Sequence, residues 1–326
     1  MVDGYGRQIA YLRISITDRC DFRCQYCMAE DMSFLPRSQV LTIEEILRIA
    51  GVFTQLGVKK IRVTGGEPLI RKGVEALFVG LGRLDALEEL ALTTNGSQLA
   101  SQCIMLKRAG VTSLNISLDS LRADRFRAIT RVGHIDPVLE GIDCAIAAGF
   151  RRIRLNAVIL DGLNRDEVLP LVNFAVAKGI DMAFIEEMPL GQVTVAGKKL
   201  AFVPSDELMA EIGRHYELDP VSQKKNGGPA RTFSVRGTQS TVGFISPHSH
   251  NFCATCNRLR ISAEGRLLLC LGNEHSIDLR DMMRTGLSDT EIKDAIIASL
   301  AIKPERHVFD QPDQPQIMRF MNATGG

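Results

Sequence analysis

Six of the eight cysteines of this chain form two triplets near opposite ends of the sequence, where their types and spacing suit metal binding. The triplets are Cys20, Cys24 and Cys27 (C-x3-C-x2-C), and Cys253, Cys256 and Cys270 (C-x2-C, with the third cysteine after thirteen intervening residues). Each lacks the fourth ligand of a closed zinc site or of a fully ligated four-iron cluster. We therefore predict two [4Fe–4S] clusters, each with an open iron facing a shared substrate.

The bulk properties favour an ordinary globular chain. It has 326 residues, 45% of them hydrophobic and 24% charged, which predicts one large and one smaller domain, residues 1–200 and 201–326. The net charge of +1 gives no argument for nucleic acid or a membrane surface. The stretch Met1 to Ile14 has no apolar signal segment, and no run is long enough to span a membrane, so we expect a cytoplasmic location.

In a reducing compartment, clustered cysteines favour metal or redox chemistry over structural disulfides. The two remaining cysteines, Cys103 and Cys144, lie alone in helical patterns. We interpret them as small buried apolar residues.

Apolar runs alternate with helical patterns through the first two thirds of the chain. Six runs predict strands: Tyr11–Ile16, Lys60–Thr64, Glu89–Thr93, Ser113–Ser117, Ile153–Ile159 and Met182–Ile185. Among the helices between them, the one from Thr42 to Gly57 begins with a capping box. Repeated β-α units imply a parallel sheet with right-handed crossovers. The sequence therefore predicts an α/β fold, an incomplete (β/α)6 barrel of the TIM type.

The pattern changes after about residue 200. A short helix from Ser205 precedes two predicted antiparallel strands, Thr232–Val235 and Thr241–Ile245. The segment Leu259 to Leu271 is typical of a hairpin that turns at Glu264-Gly265. We predict a smaller C-terminal α+β domain that carries the second iron–sulfur cluster.

Unusual residues follow each predicted strand of the barrel. After the first strand comes the first cysteine triplet, and the later strands are followed by Gly65-Gly66-Glu67-Pro68, Thr94-Asn95-Gly96, Asp119-Ser120, Asp161-Gly162 and Glu187-Met188-Pro189. Ligands of such barrels bind at the carboxyl ends of the strands. The clustering predicts a site on this rim.

The first triplet, with Tyr26 just before its last cysteine and Gly65-Gly66-Glu67-Pro68 further on, resembles the radical S-adenosylmethionine (SAM) superfamily. The resemblance implies that SAM chelates the open iron and that one electron cleaves it to a 5′-deoxyadenosyl radical. It also implies SAM contacts from Tyr26, Gly66, Ser117 and Met188. A zinc site with a distant fourth ligand is the alternative, but zinc does not account for the two glycines.

The second triplet lies in Phe252-Cys253-Ala254-Thr255-Cys256-Asn257-Arg258-Leu259-Arg260, which resembles the C-terminal domain of the GTP 3′,8-cyclase family. The resemblance runs from Leu12-Arg13-Ile14-Ser15 to the closing Gly325-Gly326. It implies conversion of GTP to (8S)-3′,8-cyclo-7,8-dihydroguanosine 5′-triphosphate, the first step of molybdenum cofactor biosynthesis. The radical would take the ribose C3′ hydrogen, and the second cluster would bind the guanine edge.

The same resemblance implies which residues bind and act on GTP. The implied GTP contacts are Arg13, Arg62, Thr93, Arg154, Arg258, Leu259 and Arg260. The implied catalytic residues are Arg13, Arg258, Arg260, Gly325 and Gly326, with the terminal glycines reaching back into the site. Arg258 and Arg260 alternate on one strand face, and the arginine fork suits triphosphate oxygens. Without the neighbouring cysteines, a solvated strand face would be the simpler reading.

Three positions depart from the family pattern. Arg154 stands where lysine is common, Thr324 replaces an aliphatic residue, and Glu187 adds a carboxylate near the rim. None of them is a cysteine ligand, so they bear on GTP binding rather than on the clusters.

Two other functions stay open at this point. One is a radical SAM enzyme that acts on a peptide or another nucleotide, and the other is a non-catalytic iron–sulfur protein. The family resemblance further implies a one-electron donor protein of the flavodoxin or ferredoxin type and a downstream cyclic pyranopterin monophosphate synthase. We expect a monomer or homodimer, with no nucleic-acid or membrane partner.

Overall fold

The computed structural model describes residues 1–188, 190, 203–222, 227–307, 309 and 319–325. Within them, twelve strands form one sheet. The strands are β1 (Tyr11–Ser15), β2 (Lys60–Thr64), β3 (Glu89–Thr94), β4 (Val111–Ser117), β5 (Arg152–Ile159), β6 (Asp181–Glu186), β7 (Leu218–Val221), β8 (Arg231–Val235), β9 (Thr241–Ile245), β10 (Arg258–Ile261), β11 (Arg266–Leu268) and β12 (Ser276–Asp278). Their order across the sheet is β12-β11-β10-β1-β2-β3-β4-β5-β6-β9-β8-β7.

Helices connect the strands and cover the sheet. They are α1 (Ile43–Gln55), α2 (Val74–Gly82), α3 (Leu99–Arg108), α4 (Ala123–Thr130), α5 (Asp136–Ala147), α6 (Val168–Lys178), α7 (Ser205–Ile212), α8 (Leu279–Arg284), α9 (Asp289–Ser299) and α10 (Met321–Thr324). None of the helices in the described residues is both long and apolar enough to cross a membrane.

The six central strands, β1 to β6, are all parallel and lie in chain order. Every residue of β2 is buried, as is typical of a parallel strand covered on both faces. The predicted α/β architecture and the six strand positions are confirmed. The predicted capping box at Thr42 is also present, since its side chain accepts from the Glu45 amide at 3.2 Å.

Strands from the C-terminal part of the chain extend the same sheet at both sides. Strand β10 pairs parallel with β1, from Tyr11↔Arg258 to Ile14↔Ile261, and β9 pairs parallel with β6. The hairpins β8/β9 and β10/β11 are antiparallel, as the sequence predicts. The local patterns did not reveal the pairing with β1 and β6. The division into domains at residue 200 stays a prediction.

Alternate residues of the central strands share the inner face of the sheet, since side chains alternate along a strand. Tyr11 and Arg13 of β1, Arg62 of β2, and Arg258 and Arg260 of β10 line one cavity. The same cavity is reached from β6 and β9 through Ile185 and Ile245. The sheet therefore curves enough to bring strands from both of its sides around a single space.

Candidate functional site

The first cysteine triplet lies in the loop after β1 and borders a cavity of about 110 Å³. The loop turns tightly, because the amides of Cys27 and Met28 both donate to the Cys24 carbonyl, at 3.0 and 3.3 Å. The cavity is lined by Cys20, Cys24, Cys27, Tyr26, Gly65, Gly66, Thr93, Asn95, Ser117, Asp119 and Met321, among others. The structure thus brings three of the four predicted SAM contacts to the predicted cluster ligands.

Asp21 ties the cysteine loop to the turn that follows β3. Its carboxylate accepts from the side-chain nitrogen Nδ2 of Asn95 at 2.7 Å and from the Ser97 hydroxyl at 2.6 Å. The Phe22 amide lies 3.3 Å from the Cys20 sulfur, and Asn95 Nδ2 lies 3.8 Å from it. These contacts orient the Cys20 sulfur and supply N–H donors to it. Groups that surround a metal site commonly position its ligands in this way.

The glycines of Gly65-Gly66-Glu67-Pro68 are required by close packing. A Cβ on Gly65 would lie 2.7 Å from the Thr17 carbonyl oxygen, and one on Gly66 would lie 2.4 Å from the Arg19 oxygen. The amides of Gly66 and Glu67 donate to those same two carbonyls at 2.7 and 2.8 Å. The loop after β2 is therefore seated directly on the chain that leads into Cys20.

The buried Glu67 carboxylate joins the loops after β2 and β3. It accepts from the Leu69 amide at 2.9 Å, the Thr94 hydroxyl at 2.8 Å and the Asn95 amide at 2.6 Å. Burial raises its pKa to about 7, although these donors favour the charged form. Glu67 thus holds the rim of the cavity together.

Tyr26 is oriented by a buried aspartate from the loop after β4. Its hydroxyl donates to Asp119 at 2.7 Å, and the other oxygen of Asp119 accepts from the Val158 amide at 2.8 Å. Burial raises the pKa of Asp119 to about 6, against the opposing effect of these two donors. The aromatic ring before Cys27 is consequently fixed at the wall of the cavity.

The second triplet borders a separate cavity of about 170 Å³. Cys253 and Cys256 flank one short helical turn, in which the Cys256 amide donates to the Cys253 carbonyl at 3.0 Å. Cys270 follows β11. Burial opposes ionisation of Cys256, but the cations of Arg258 and Lys303 outweigh it and lower the pKa of that thiol to about 7. One cysteine of this triplet is thus already disposed toward the thiolate that binds metal.

Cationic side chains dominate the rest of this second cavity. The cavity is lined by Arg13, Lys60, Arg62, Arg152, Arg154, Arg258 and Arg260, with Glu89 as the carboxylate. Glu89 is paired with Lys60 at 2.9 Å. Burial, together with neighbouring cations, lowers the pKa of Arg13 and of Arg154 to about 10. Such a concentration of buried positive charge is unfavourable unless an anion balances it.

Tyr11 lies among these cations. Its hydroxyl accepts from Arg62 Nε at 2.8 Å, and the Lys60 ammonium lies 4.9 Å from the centre of its ring. Burial alone would raise the phenol pKa, but Arg62, Arg13, Lys60 and Arg258 lower it to about 7. A tyrosine that ionises near neutrality is therefore part of the cavity wall.

The C-terminal segment lies between the two cavities, and Met321 lines both of them. The Asn322 side chain donates to the Asp18 carbonyl at 2.9 Å, and Arg260 donates to the Gly325 carbonyl at 2.7 Å. Gly325 has φ +78°, and a Cβ there would lie 1.8 Å from Thr64 Oγ1. The Gly325 carbonyl thus lies beside an arginine that lines the second cavity, whereas Gly326 lies outside the described residues.

The remaining predicted contacts lie at different places. Thr93 lines the first cavity rather than the second, and Met188 lines the second rather than the first. Leu259 is a buried core residue between two arginines that line the second cavity. The Glu187 carbonyl accepts from His248 Nε2 at 2.7 Å. Pro189 lies outside the described residues.

Several cavity-lining residues carry no motif and were missed by the sequence analysis. They are Tyr11, Lys60, Asn115, Arg152, Asn156 and His307 in the second cavity, and Lys303 beside it. For Lys60 and Tyr11 a signal existed, since each stands two residues before a predicted arginine contact on the same strand face. For Lys303 and His307 no local pattern marks the approach to the cysteines.

Among the described residues, no three His, Cys, Asp or Glu side chains are close enough together to hold a single metal ion. A four-iron cluster does not need such closeness, because each thiolate binds a different iron.

Comparison with known proteins decides the family. A family model described as the radical SAM superfamily matches residues 14–175, and one described as Molybdenum Cofactor Synthesis C matches residues 180–309. The chain is 58% identical to GTP 3′,8-cyclase 1 of Pseudomonas aeruginosa, over 100% of this chain and 99% of that protein. The chain belongs to the GTP 3′,8-cyclase family. GTP 3′,8-cyclase 2 of the same organism is 53% identical over 100% of this chain and 98% of its own length.

Solved structures support the fold of this cyclase family member. Streptococcus suis SuiB bound to S-adenosylmethionine superposes with a TM-score of 0.64 at 16% identity, covering 97% of this chain and 77% of SuiB. At that identity the likeness concerns the fold alone. The radical SAM assignment, with SAM and an iron–sulfur cluster as cofactors, follows from the family.

Proposed function

We propose that this chain converts GTP to (8S)-3′,8-cyclo-7,8-dihydroguanosine 5′-triphosphate with SAM and two [4Fe–4S] clusters. The observation that carries the proposal is the pair of cysteine-lined cavities that share Met321, one of them rich in cations. A radical formed in the first cavity would be close to a nucleotide held in the second.

The first cavity has the features that SAM and a cluster need. Cys20, Cys24 and Cys27 would hold the cluster, which supplies one electron for cleavage of SAM when both are bound. Gly66 presents backbone without a side chain, and Ser117 lines the wall nearby. Asp119 would keep Tyr26 in place against the bound cofactor. The protein's contribution here is to fix orientation, so that the electron transfer is intramolecular.

The second cavity fits a polyanionic nucleotide. The Nε of Arg154 is buried and has no hydrogen-bond partner among the described residues. Arg13, Arg62 and Arg260 enter the same space from neighbouring strands that are in register, Arg13↔Arg62 and Arg13↔Arg260. A triphosphate would relieve the mutual repulsion of these cations and satisfy their donors bidentately.

We assign Cys253, Cys256 and Cys270 to the second cluster. An open iron there would take the guanine edge, while the cations hold the triphosphate, and the ribose would then lie toward Met321 and the first cavity. Arg258 and Arg260 follow the cysteines directly on β10, so the cluster and the anion site are positioned by one strand. Arg260 also anchors the Gly325 carbonyl, which would keep the tail against the reacting ribose.

Isotope transfer tests this function. Anaerobically reconstituted protein would be given SAM, a strong reductant and GTP deuterated at C3′. We expect deuterium in 5′-deoxyadenosine together with a cyclised GTP isomer, both measured by mass spectrometry. Unlabelled 5′-deoxyadenosine with intact GTP would instead favour a radical SAM enzyme for a peptide or another nucleotide.

The affinity for GTP should fall as the pH rises above about 7, because of Tyr11. In the free protein the phenolate is stabilised by Arg62, Arg13, Lys60 and Arg258, which holds the pKa at about 7. A bound triphosphate would engage the same cations and raise that pKa, so binding at higher pH takes up a proton. The dissociation constant should then rise by up to about tenfold per pH unit until the bound-state pKa is reached.

Equilibrium dialysis with labelled GTP between about pH 6 and 9 measures this dependence. Tyr11→Phe should remove the component due to Tyr11, whereas Tyr5→Phe, at a tyrosine that is 53% exposed, should keep it. An unchanged slope in Tyr11→Phe would contradict the assignment.

The proposal also includes a cytoplasmic one-electron donor of the flavodoxin or ferredoxin type. The cyclised product would pass to a cyclic pyranopterin monophosphate synthase. We propose a monomer or homodimer, with no nucleic-acid or membrane partner.

A further inference from the structure

Lys303, which belongs to none of the motifs discussed so far, contacts the second cysteine triplet. Lys303 is buried, with only 2% of its surface exposed. Its ammonium donates to the carbonyls of Leu269 and Arg258, the latter at 3.4 Å, and lies 3.9 Å from the Cys256 sulfur. Leu269 directly precedes Cys270, so this one group bridges both arms of the triplet.

The ammonium has three donors, and these three acceptors use them all. No ion pair between Lys303 and a carboxylate is present in the part of the chain that the structure describes. Buried charges are retained when they are paired or coordinate a charged group. The cysteine sulfur is thus the anionic partner that the surroundings offer to Lys303.

The backbone that carries Lys303 is held firmly. Arg7 is buried and donates to the carbonyls of Pro304 at 2.8 Å, Glu305 at 2.7 Å and Cys253 at 3.0 Å. Asp3 pairs with Arg7 at 2.6 Å. A single guanidinium therefore fastens the segment after Lys303 to the first cysteine of the triplet, and the lysine is in a fixed position rather than a flexible surface residue.

We propose that Lys303 is a positioning residue that holds Cys256 by an N–H···S contact and sets the reduction potential of the cluster at the second triplet. The inference rests on the proposed second cluster. A nearby cation and a hydrogen bond to a ligand sulfur both favour the reduced, more negative cluster. Removing the charge should therefore lower the potential, while arginine in the same place should largely preserve it.

The test uses full-length, anaerobically reconstituted protein carrying Cys24→Ala, so that the signal of the second cluster is observed without that of the first. Lys303→Met and Lys303→Arg are compared by redox titration followed by electron paramagnetic resonance. We expect the reduction equilibrium of Lys303→Met to shift about tenfold toward the oxidised cluster, which is about 59 mV for one electron. Lys72→Met, at an exposed lysine, is the matched control and should not shift.

Selective loss of iron from Lys303→Met, with iron retained in Lys303→Arg and the folded structure intact by circular dichroism, would also support the proposal. Equal potentials in a loaded Lys303→Met protein would overturn it. Equal loss of iron from both variants would overturn it too, because a charge in that place would then be insufficient. Absence of iron from the Cys24→Ala parent would overturn the second cluster itself and this inference with it.

Discussion

Replacing Cys256 by alanine should stop formation of the cyclised nucleotide while SAM cleavage continues. The substitution removes a ligand from the second triplet and leaves the first cavity, which holds the proposed SAM site, unchanged. Without a positioned guanine, the radical would be quenched elsewhere, and loss of substrate positioning costs at least about 10²-fold in rate. Mass spectrometry of 5′-deoxyadenosine and of cyclised GTP in the same reaction measures both outcomes.

Two cysteine variants bracket this result. Cys24→Ala removes a ligand of the first triplet and should abolish both products. Cys144→Ala changes a free cysteine on α5 that lines neither cysteine-lined cavity, and it should preserve both. Normal cyclisation by Cys256→Ala would refute the role of the second triplet in holding the substrate.

Gly325→Ala should reduce cyclisation by about 10²-fold without changing the iron content. The added Cβ would lie 1.8 Å from Thr64 Oγ1 and 2.8 Å from Thr64 Cβ, so rotation of that hydroxyl does not clear the space. The tail would have to leave its seat, and the hydrogen bond from Arg260 to the Gly325 carbonyl would be lost with it. Steady-state turnover of GTP and iron analysis on the same sample measure the two quantities.

Gly286→Ala separates the steric effect from the backbone effect. Gly286 has φ +92°, close to the +78° of Gly325, but an added Cβ there meets nothing within 4 Å. Gly286→Ala should lower the free energy of unfolding by about 1 kcal/mol, the strain of a non-glycine residue in the left-handed region, and it should keep full turnover. Equal activity of Gly325→Ala and Gly286→Ala would show that the position of the tail does not matter for catalysis.

The strands and their helices could be predicted because their signals are local. The bounds of the strand Lys60–Thr64 were predicted to the residue, and the predicted capping box at Thr42 is present. The pairing of β10 with β1 and of β9 with β6 could not be predicted in this way. Hydrogen bonds between strands do not depend on side-chain pattern, so a hairpin carries no mark of the edge that it will join.

In the candidate site, too, only the residues with a local sequence signal could be predicted. Cysteine spacing is a property of one short segment, and it identified both triplets. Lys303 reaches Cys256 from a distant segment, and Tyr11 gains its lowered pKa from residues of three strands. Such effects arise only when separate segments meet, so no single segment of the sequence shows them.

The two parallel pairings that join the C-terminal strands to β1 and β6 also bear on how the molecule folds. A nascent chain that has reached only β6 would present both outer strands with unpaired backbone groups, a known route to aggregation. Closing these pairings requires contacts between residues far apart in sequence, which slows folding. The second cysteine triplet lies on the segment that completes one of those edges. Formation of the second cavity and pairing of this sheet edge therefore depend on the same contacts between β1 and β10.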